Sequence, residues 1–330
     1  MVAQSGLTKN ASVQTVLVTG AAGLIGSAVV RLLLSRNIKV VACDDFSIGE
    51  WRGDDDHLTW EQLGVSSPSL AERLSTHNFD VVVHCAAHPG GRSLIEPALD
   101  VEVNALGSMR LFEWCAKSGT PVVYTSSSIV YGEQSPHPIP ESAPLNPGTI
   151  YGVCKVACEN FLRILGEGYG LKWIILRLFA TYGAGHRPST HQGIVNIMLT
   201  QLLDGNRVVV KGPLTRVRDL LYVEDAAYAI YKSIFAPGAY GRIINVGTGI
   251  PITIYGLIEA LCGSLGRQMR DIEIIEKPGT IGDPFYSVAD YSKARDILGF
   301  MPQYDLAKGL SEIVSQRKIS KTLIQNKGSN

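Results

Sequence analysis

The chain has 330 residues, 45% hydrophobic and 18% charged, the proportions of a soluble globular protein with one large core or two unequal domains. Its 30 basic and 30 acidic residues cancel, so neither a basic tract for nucleic acid nor general attraction to an anionic membrane is expected. There is no apolar run long enough for a membrane span, no apolar core of signal-peptide length in residues 1–10, and no C-x-x-C pair among six scattered cysteines, which predicts a cytoplasmic protein with reduced core thiols.

Residues 1–12 are polar and read as a loose tail. An apolar run at 15–19 predicts a buried first strand, and 23–35 a helix with Ile25, Val29, Leu32 and Leu33 on one face. A second strand at 38–43 ends in Asp44-Asp45, and 49–56 is a charged loop. There follow a short helix at 70–74, a strand at 80–84, a long helix at 102–117 and a strand at 122–125. A helix at 151–167 and a strand at 172–178 close the regular part. Strand and helix alternate, and the strands are continuous apolar runs, which predicts an α/β fold with a doubly wound parallel sheet covered on both faces.

Beyond 181 the pattern loosens. Helices are expected at 194–203, 223–235, 254–265 and 306–314, with strands at 208–210 and 243–246. The strand at 243–246 reads as part of the main sheet, so the smaller C-terminal substrate domain interleaves with the first. Residues 13–181, rejoined by 216–249, form the expected nucleotide-binding domain; 182–215 and 250–315 form the other, and 320–330 is a polar tail.

Gly20, Gly23 and Gly26 follow the first strand and open the first helix, with Leu24 and Ile25 between the last two. Such glycines permit a tight turn, close approach of a diphosphate and close helix–strand packing. The helix N-terminus then offers unpaired N–H groups and a positive dipole end to the pyrophosphate. Asp44 ends the second strand, where a carboxylate accepts from ribose hydroxyls and repels a 2′-phosphate, so NAD is favoured over NADP; Asp45 is the competing acid. Phe46, Ser47 and Gly49 are expected to shape the adenosine side.

Tyr151 and Lys155 lie four apart on a predicted helix and share a face. A tyrosine hydroxyl ordinarily titrates near ~10, and a neighbouring ammonium favours its phenolate. Thr125-Ser126-Ser127-Ser128 places hydroxyls directly after a strand, where ligands gather in an open parallel sheet. A hydroxyl there orients a substrate alcohol and stabilises a developing oxyanion. The seven histidines have no zinc-binding spacing, so no metal is predicted.

Further segments match in order: His84-Cys85-Ala86-Ala87, Asn104, 124–132, 177–183, Arg218 to Asp225, Asn245 to Gly249 and 290–299. Together with the glycine turn and Tyr151-x-x-x-Lys155, they resemble the extended branch of the short-chain dehydrogenase/reductase family, and within it the nucleotide-sugar epimerase/dehydratase group. The resemblance spans roughly residues 14–315. It implies that Ser127 is the catalytic hydroxyl, Tyr151 the acid/base and Lys155 its partner, and that Ala86, Ala87 and Asn104 lie by a tightly bound NAD. It also implies that Arg218 grips a substrate diphosphate, and that two helices, about 102–117 and 151–167, form a four-helix bundle in a homodimer.

Dehydrating members resemble Thr-Asp-Glu where this chain has Ser127-Ser128-Ile129. Elimination needs an acid and a base that Ser128 and Ile129 do not supply, so the stretch resembles the 4-epimerases. A net dehydrogenase, reductase or decarboxylase, an epimerase acting at another carbon or on a non-nucleotide sugar, and a non-catalytic nucleotide-binding scaffold are the other readings. Two departures bear on substrate: Ala180 stands where relatives carry asparagine and Thr280 where they carry a second diphosphate-binding arginine; a third, Gly64, stands where they carry an aspartate that touches adenine. Lys277, His186 and Arg187 are candidate replacements for the phosphate contacts, and His88 and Arg92 for contacts to the sugar.

Overall fold

The structure, a computed structural model, describes residues 13–185 and 193–327, with side chains described as far as Arg317. Seven parallel strands form the central sheet in the spatial order Arg242–Val246, Trp173–Leu178, Val122–Ser127, Val81–His84, Thr15–Thr19, Lys39–Asp44, Leu58–Gln62. Successive side chains of a strand point to opposite faces, and both faces here are covered. Val16 and Val18 join Val29, Leu33, Ala226 and Ile230 on the side of helices Leu24–Leu34 and Val223–Ile234. Leu17 and Val41 join Leu74, Leu111, Phe112 and Leu162 on the side of helices Ser108–Ser118 and Ile150–Tyr169. Burial on both faces is why these strands read as unbroken apolar runs.

Three elements here depart from the sequence expectation. Leu58–Gln62 pairs with Lys39–Asp44 as an edge strand that periodicity did not reveal, because only Glu61 in it is fully buried. The single helix expected at 102–117 is two: a π-type stretch Val101–Gly107 followed by the α-helix Ser108–Ser118. A wider turn drifts away from the 3.6-residue period, so an apolar pattern cannot register it. The C-terminal helix, expected at 306–314, runs Leu306–Lys327.

The smaller part is built from short strands: Arg207–Lys211 with Glu273–Lys277, Ala180–Tyr182 with Leu220–Tyr222, and Val217–Arg218 between Ile252–Thr253 and Tyr286–Ser287. Strand Arg242–Val246 returns to the main sheet, so the chain crosses between the two parts more than once. The strand order reverses between Thr15–Thr19 and Val81–His84, which opens a crevice at the carboxyl ends of the strands. All six cysteines are free, and burial pushes the Cys43 and Cys85 thiols up to about 12. Among the described residues no helix is long and apolar enough to cross a membrane, and no cluster of potential ligands could hold a metal ion.

Candidate active site

A cleft of about 860 Å³ occupies this crevice, walled by the sheet on one side and by the short strands of the smaller part on the other. At its floor, Gly20 has φ +67°, and a Cβ there would stand 2.6 Å from the Ala86 nitrogen. A Cβ on Gly26 would stand 2.1 Å from the Gly20 carbonyl oxygen. No larger residue fits either place, and the chain approaches the cleft with bare backbone. Helix Leu24–Leu34 starts beside it with Gly23 at its N-cap and no side chain accepting from its first turn, so those N–H groups remain available to an anion.

Asp44 is buried at the end of its strand, with Oδ2 accepting from the Ala22 N–H at 2.9 Å and Oδ1 from the Phe46 N–H at 2.8 Å. Burial raises its carboxyl above the ordinary range and the two backbone donors lower it. Asp45 lines the cleft beside it, its Oδ1 accepting from the N–H and hydroxyl of Ser47. Asp45 Oδ2 covers Gly64 so closely that a Cβ there would come within 2.9 Å. Gly23, Leu24, Ile25, Gly49, Ala86 and Ala87 also line this half of the cleft. The bare glycine floor, free helix N-terminus and buried acid fit the dinucleotide expected from the sequence.

Phe46 lies outside the lining. Its ring packs on Trp60 at 5.2 Å, and the Arg52 guanidinium sits 3.6 Å above it. Asn104 is also behind the wall rather than in it. Its Oδ1 accepts from the His88 N–H at 2.7 Å and its Nδ2 donates to the His88 carbonyl at 2.9 Å and to Asp100. The asparagine thus pins the loop that borders the cleft, from within the π-type stretch.

In the other half, Tyr151 and Lys155 reach the cleft from helix Ile150–Tyr169, with Ser127 and Ser128 at the end of strand Val122–Ser127. Thr149 caps that helix by accepting from the Gly152 N–H at 3.0 Å. Lys155 is buried, its Nζ donating to the Thr125 carbonyl at 2.8 Å and standing 4.7 Å and 5.5 Å from the ring centres of Tyr124 and Tyr151. Ser127 Oγ accepts from the Ile129 N–H at 3.3 Å, and Ser287 Oγ donates to Ser128 Oγ at 3.4 Å. Behind them Glu159 forms a buried ion pair with Arg177 at 2.6 Å and accepts from Ser126 Oγ at 2.6 Å. His84 is fully buried between Thr19 Oγ1 and Ser108 Oγ; burial first, then Lys155, lowers it to about 3 and keeps the ring neutral.

Helix Gly90–Ser93 closes over Tyr151. Ser93 Oγ accepts from the Tyr151 N–H at 3.1 Å, and a Cβ on Gly90 would come 3.1 Å from the Tyr151 ring. Neither contact follows from spacing alone, although the Gly90-Gly91 pair marks a close approach. Arg92 lines the cleft with its guanidinium 2.8 Å from Glu96 in an i,i+4 ion pair. His88 is buried, with Nε2 3.7 Å from the same Glu96 carboxylate.

Arg218 lines the far wall with Thr280, Gly282 and Asp283, and Ala180 also borders the cleft. Lys277 does not; it pairs with Lys211 in the strand pair beyond. His186 and Arg187 lie outside the described residues. Asp283, which the sequence did not single out, bonds Arg218 at 2.5 Å.

The family model described as the NAD dependent epimerase/dehydratase family matches residues 16–247. A UDP-glucose 4-epimerase of Mycolicibacterium smegmatis is 33% identical over 306 residues, covering 90% of this chain and 96% of that one. A UDP-glucose 4-epimerase of Thermotoga maritima, solved with UDP-glucose, superposes with a TM-score of 0.87 at 32% identity, covering 93% of this chain and 99% of that one. The Thermus thermophilus UDP-glucose 4-epimerase, solved with NAD, gives 0.84 at 31% identity over 92% and 98% of the two chains.

Proposed function

Since this chain belongs to the NAD-dependent epimerase/dehydratase family, we propose that it is a nucleotide-sugar epimerase that inverts sugar C4 through a transient 4-keto sugar. The observation that carries this reading is the meeting of Ser127, Tyr151 and Lys155 in one cleft with the glycine turn and Asp44. The relatives' activity and bound ligands support NAD as the cofactor and a uridine diphosphate hexose as the substrate.

Gly20, Gly23, Gly26 and the N-terminus of helix Leu24–Leu34 would hold the pyrophosphate of NAD, and Asp44, flanked by Asp45, would take the adenosine ribose. Bound there, NAD supplies a reversible hydride acceptor. Tyr151 removes the proton of the sugar hydroxyl and later returns it, while Ser127 orients that oxygen. The ammonium of Lys155, fixed by Thr125, stabilises the charge that develops on the Tyr151 oxygen. Ser128 and Ile129 line the cleft with no titratable group, which favours epimerisation over elimination. Arg218, which lines the cleft, would bind the diphosphate.

The exposed apolar residues Val101 and Leu106, with Ile150, Val153 and Ile164 of helix Ile150–Tyr169, support a homodimer built by pairing these helices.

The test is mass-resolved product analysis after incubating NAD-loaded protein with UDP-, dTDP-, GDP- and CDP-sugars. A stereoisomer of unchanged mass, lost in Tyr151→Phe, is the expected result. Stoichiometric NADH, release of carbon dioxide or a product of altered mass overturns the epimerase reading.

A further inference from the structure

Arg216 and Arg218 stand two residues apart, the second on strand Val217–Arg218, and both are buried, at 5% and 7% exposure. Their forks converge on one carboxylate. Arg216 donates to Asp283 Oδ2, and Arg218 donates to Asp283 Oδ1 at 2.5 Å. Arg216 also donates to the carbonyls of Lys211 and Pro213, and Arg218 to the carbonyls of Val217 and Phe285. Burial pushes Arg216 below the ordinary arginine range, with Asp283 opposing and Arg218 adding to the effect.

The other acid of this segment, Asp219, is fully buried and committed elsewhere. It accepts from the N–H groups of Thr248, Gly249 and Ala289 and from the Thr248 hydroxyl. Among the described residues Asp283 is the acid that faces both guanidiniums, and its side chain is about one-third exposed at the cleft wall. Two buried cations sharing one anion leave an excess positive charge, a costly arrangement unless a further anion arrives.

We propose that Arg218 is the cleft-facing member of an anion seat, with Arg216 behind the wall and Asp283 as the resident counter-ion that both arginines hold. The diphosphate of the substrate takes Arg218 by displacing Asp283, which Arg216 retains. The guanidinium fork suits carboxylate and phosphate oxygens alike, so one anion exchanges for another of similar geometry and greater charge. The identity of the incoming group rests on the nucleotide-sugar reading above; the seat itself rests on the arginines and Asp283. Arg216, like Lys277, lies outside the cleft lining, so it acts as a positioning residue, through Asp283.

The experiment is calorimetric titration of UDP, dTDP and inorganic pyrophosphate into NAD-loaded wild type, Asp283→Asn, Arg216→Gln and the double variant. Asparagine cannot neutralise two guanidiniums, so Asp283→Asn should bind these anions about tenfold more tightly, the scale of one hydrogen bond to a charged group. Arg216→Gln leaves Arg218 and Asp283 as a closed pair and should bind about tenfold more weakly. Because Arg216 acts only through Asp283, Arg216→Gln should have no further effect once Asp283 is asparagine, so the double variant should bind about as tightly as Asp283→Asn; independent sites would instead add up to wild-type affinity. Unchanged or weaker binding in Asp283→Asn overturns the seat and makes Asp283 a scaffold. If Asp283→Asn does not fold, unaltered pyrophosphate affinity in Arg216→Gln overturns it equally. Wild type that binds pyrophosphate with this pattern but neither nucleotide supports the seat and removes the nucleotide-sugar reading instead.

Discussion

The ammonium of Lys155 donates to the Thr125 carbonyl oxygen at 2.8 Å, joining helix Ile150–Tyr169 to the end of strand Val122–Ser127. This bond fixes the ammonium 5.5 Å from the centre of the Tyr151 ring. Lys155→Met keeps the length of the side chain and removes the charge. The expected outcome is a fall in kcat of about a hundredfold or more. Steady-state epimerisation assays check it; a kcat within a few-fold of wild type sinks the assigned role.

Gly90 lies against the Tyr151 ring, and an added Cβ would stand 3.1 Å from it. Gly90→Ala must therefore displace either the ring or helix Gly90–Ser93. Because a misplacement of about 1 Å costs roughly a hundredfold, kcat should drop by about ten- to a hundredfold with the melting temperature little changed. An unaltered kcat would mean that the ring has room to yield.

Arg177 and Glu159 are both buried, and their ion pair also carries Ser126 and Tyr131. Removing one partner leaves an uncompensated buried charge. Arg177→Met should lower the unfolding free energy by about 3–5 kcal/mol in urea titrations. The double change Arg177→Met, Glu159→Leu should recover part of this loss, which a purely steric effect of the methionine does not predict.

His84 has a folded-state value near 3 against an ordinary value of 6.5, because burial disfavours the charged ring. Below pH 6.5 the unfolded chain takes up a proton that the folded chain refuses. The stabilisation is thus complete above 6.5 and is lost as pH falls toward 3, at up to about 1.4 kcal/mol per pH unit. Urea titrations at pH 6.5 and pH 5 should show wild type losing about 2 kcal/mol more than His84→Gln. Equal losses in the two proteins would show that the ring titrates freely.

Val153 and Ile164 are half exposed on helix Ile150–Tyr169, with Leu106 half exposed on the neighbouring stretch. If these faces pair between two copies, light scattering should give twice the 35.6 kDa chain mass. Val153→Glu should then halve it, since a carboxylate cannot be buried unpaired in an apolar interface. A wild-type mass of one chain removes the dimer.

The sequence by itself determined the sheet, the glycine turn, Asp44, and the Tyr151–Lys155 pair, because each depends on local spacing: strands buried on both faces, glycines at a strand–helix turn, two residues four apart on a helix. It did not reveal the edge strand Leu58–Gln62, whose residues are mostly exposed, or the π-type turn around Asn104, whose period differs from that of an α-helix. The tertiary structure alone decided that Asn104 holds the His88 backbone from behind the wall, that Phe46 stacks outside the cleft, and that Lys277 stands away from it. It alone brought Asp283 onto Arg216 and Arg218 across 67 and 65 residues of chain. Contacts of that kind are set by how distant segments pack, and no periodicity within either segment encodes the distance between them.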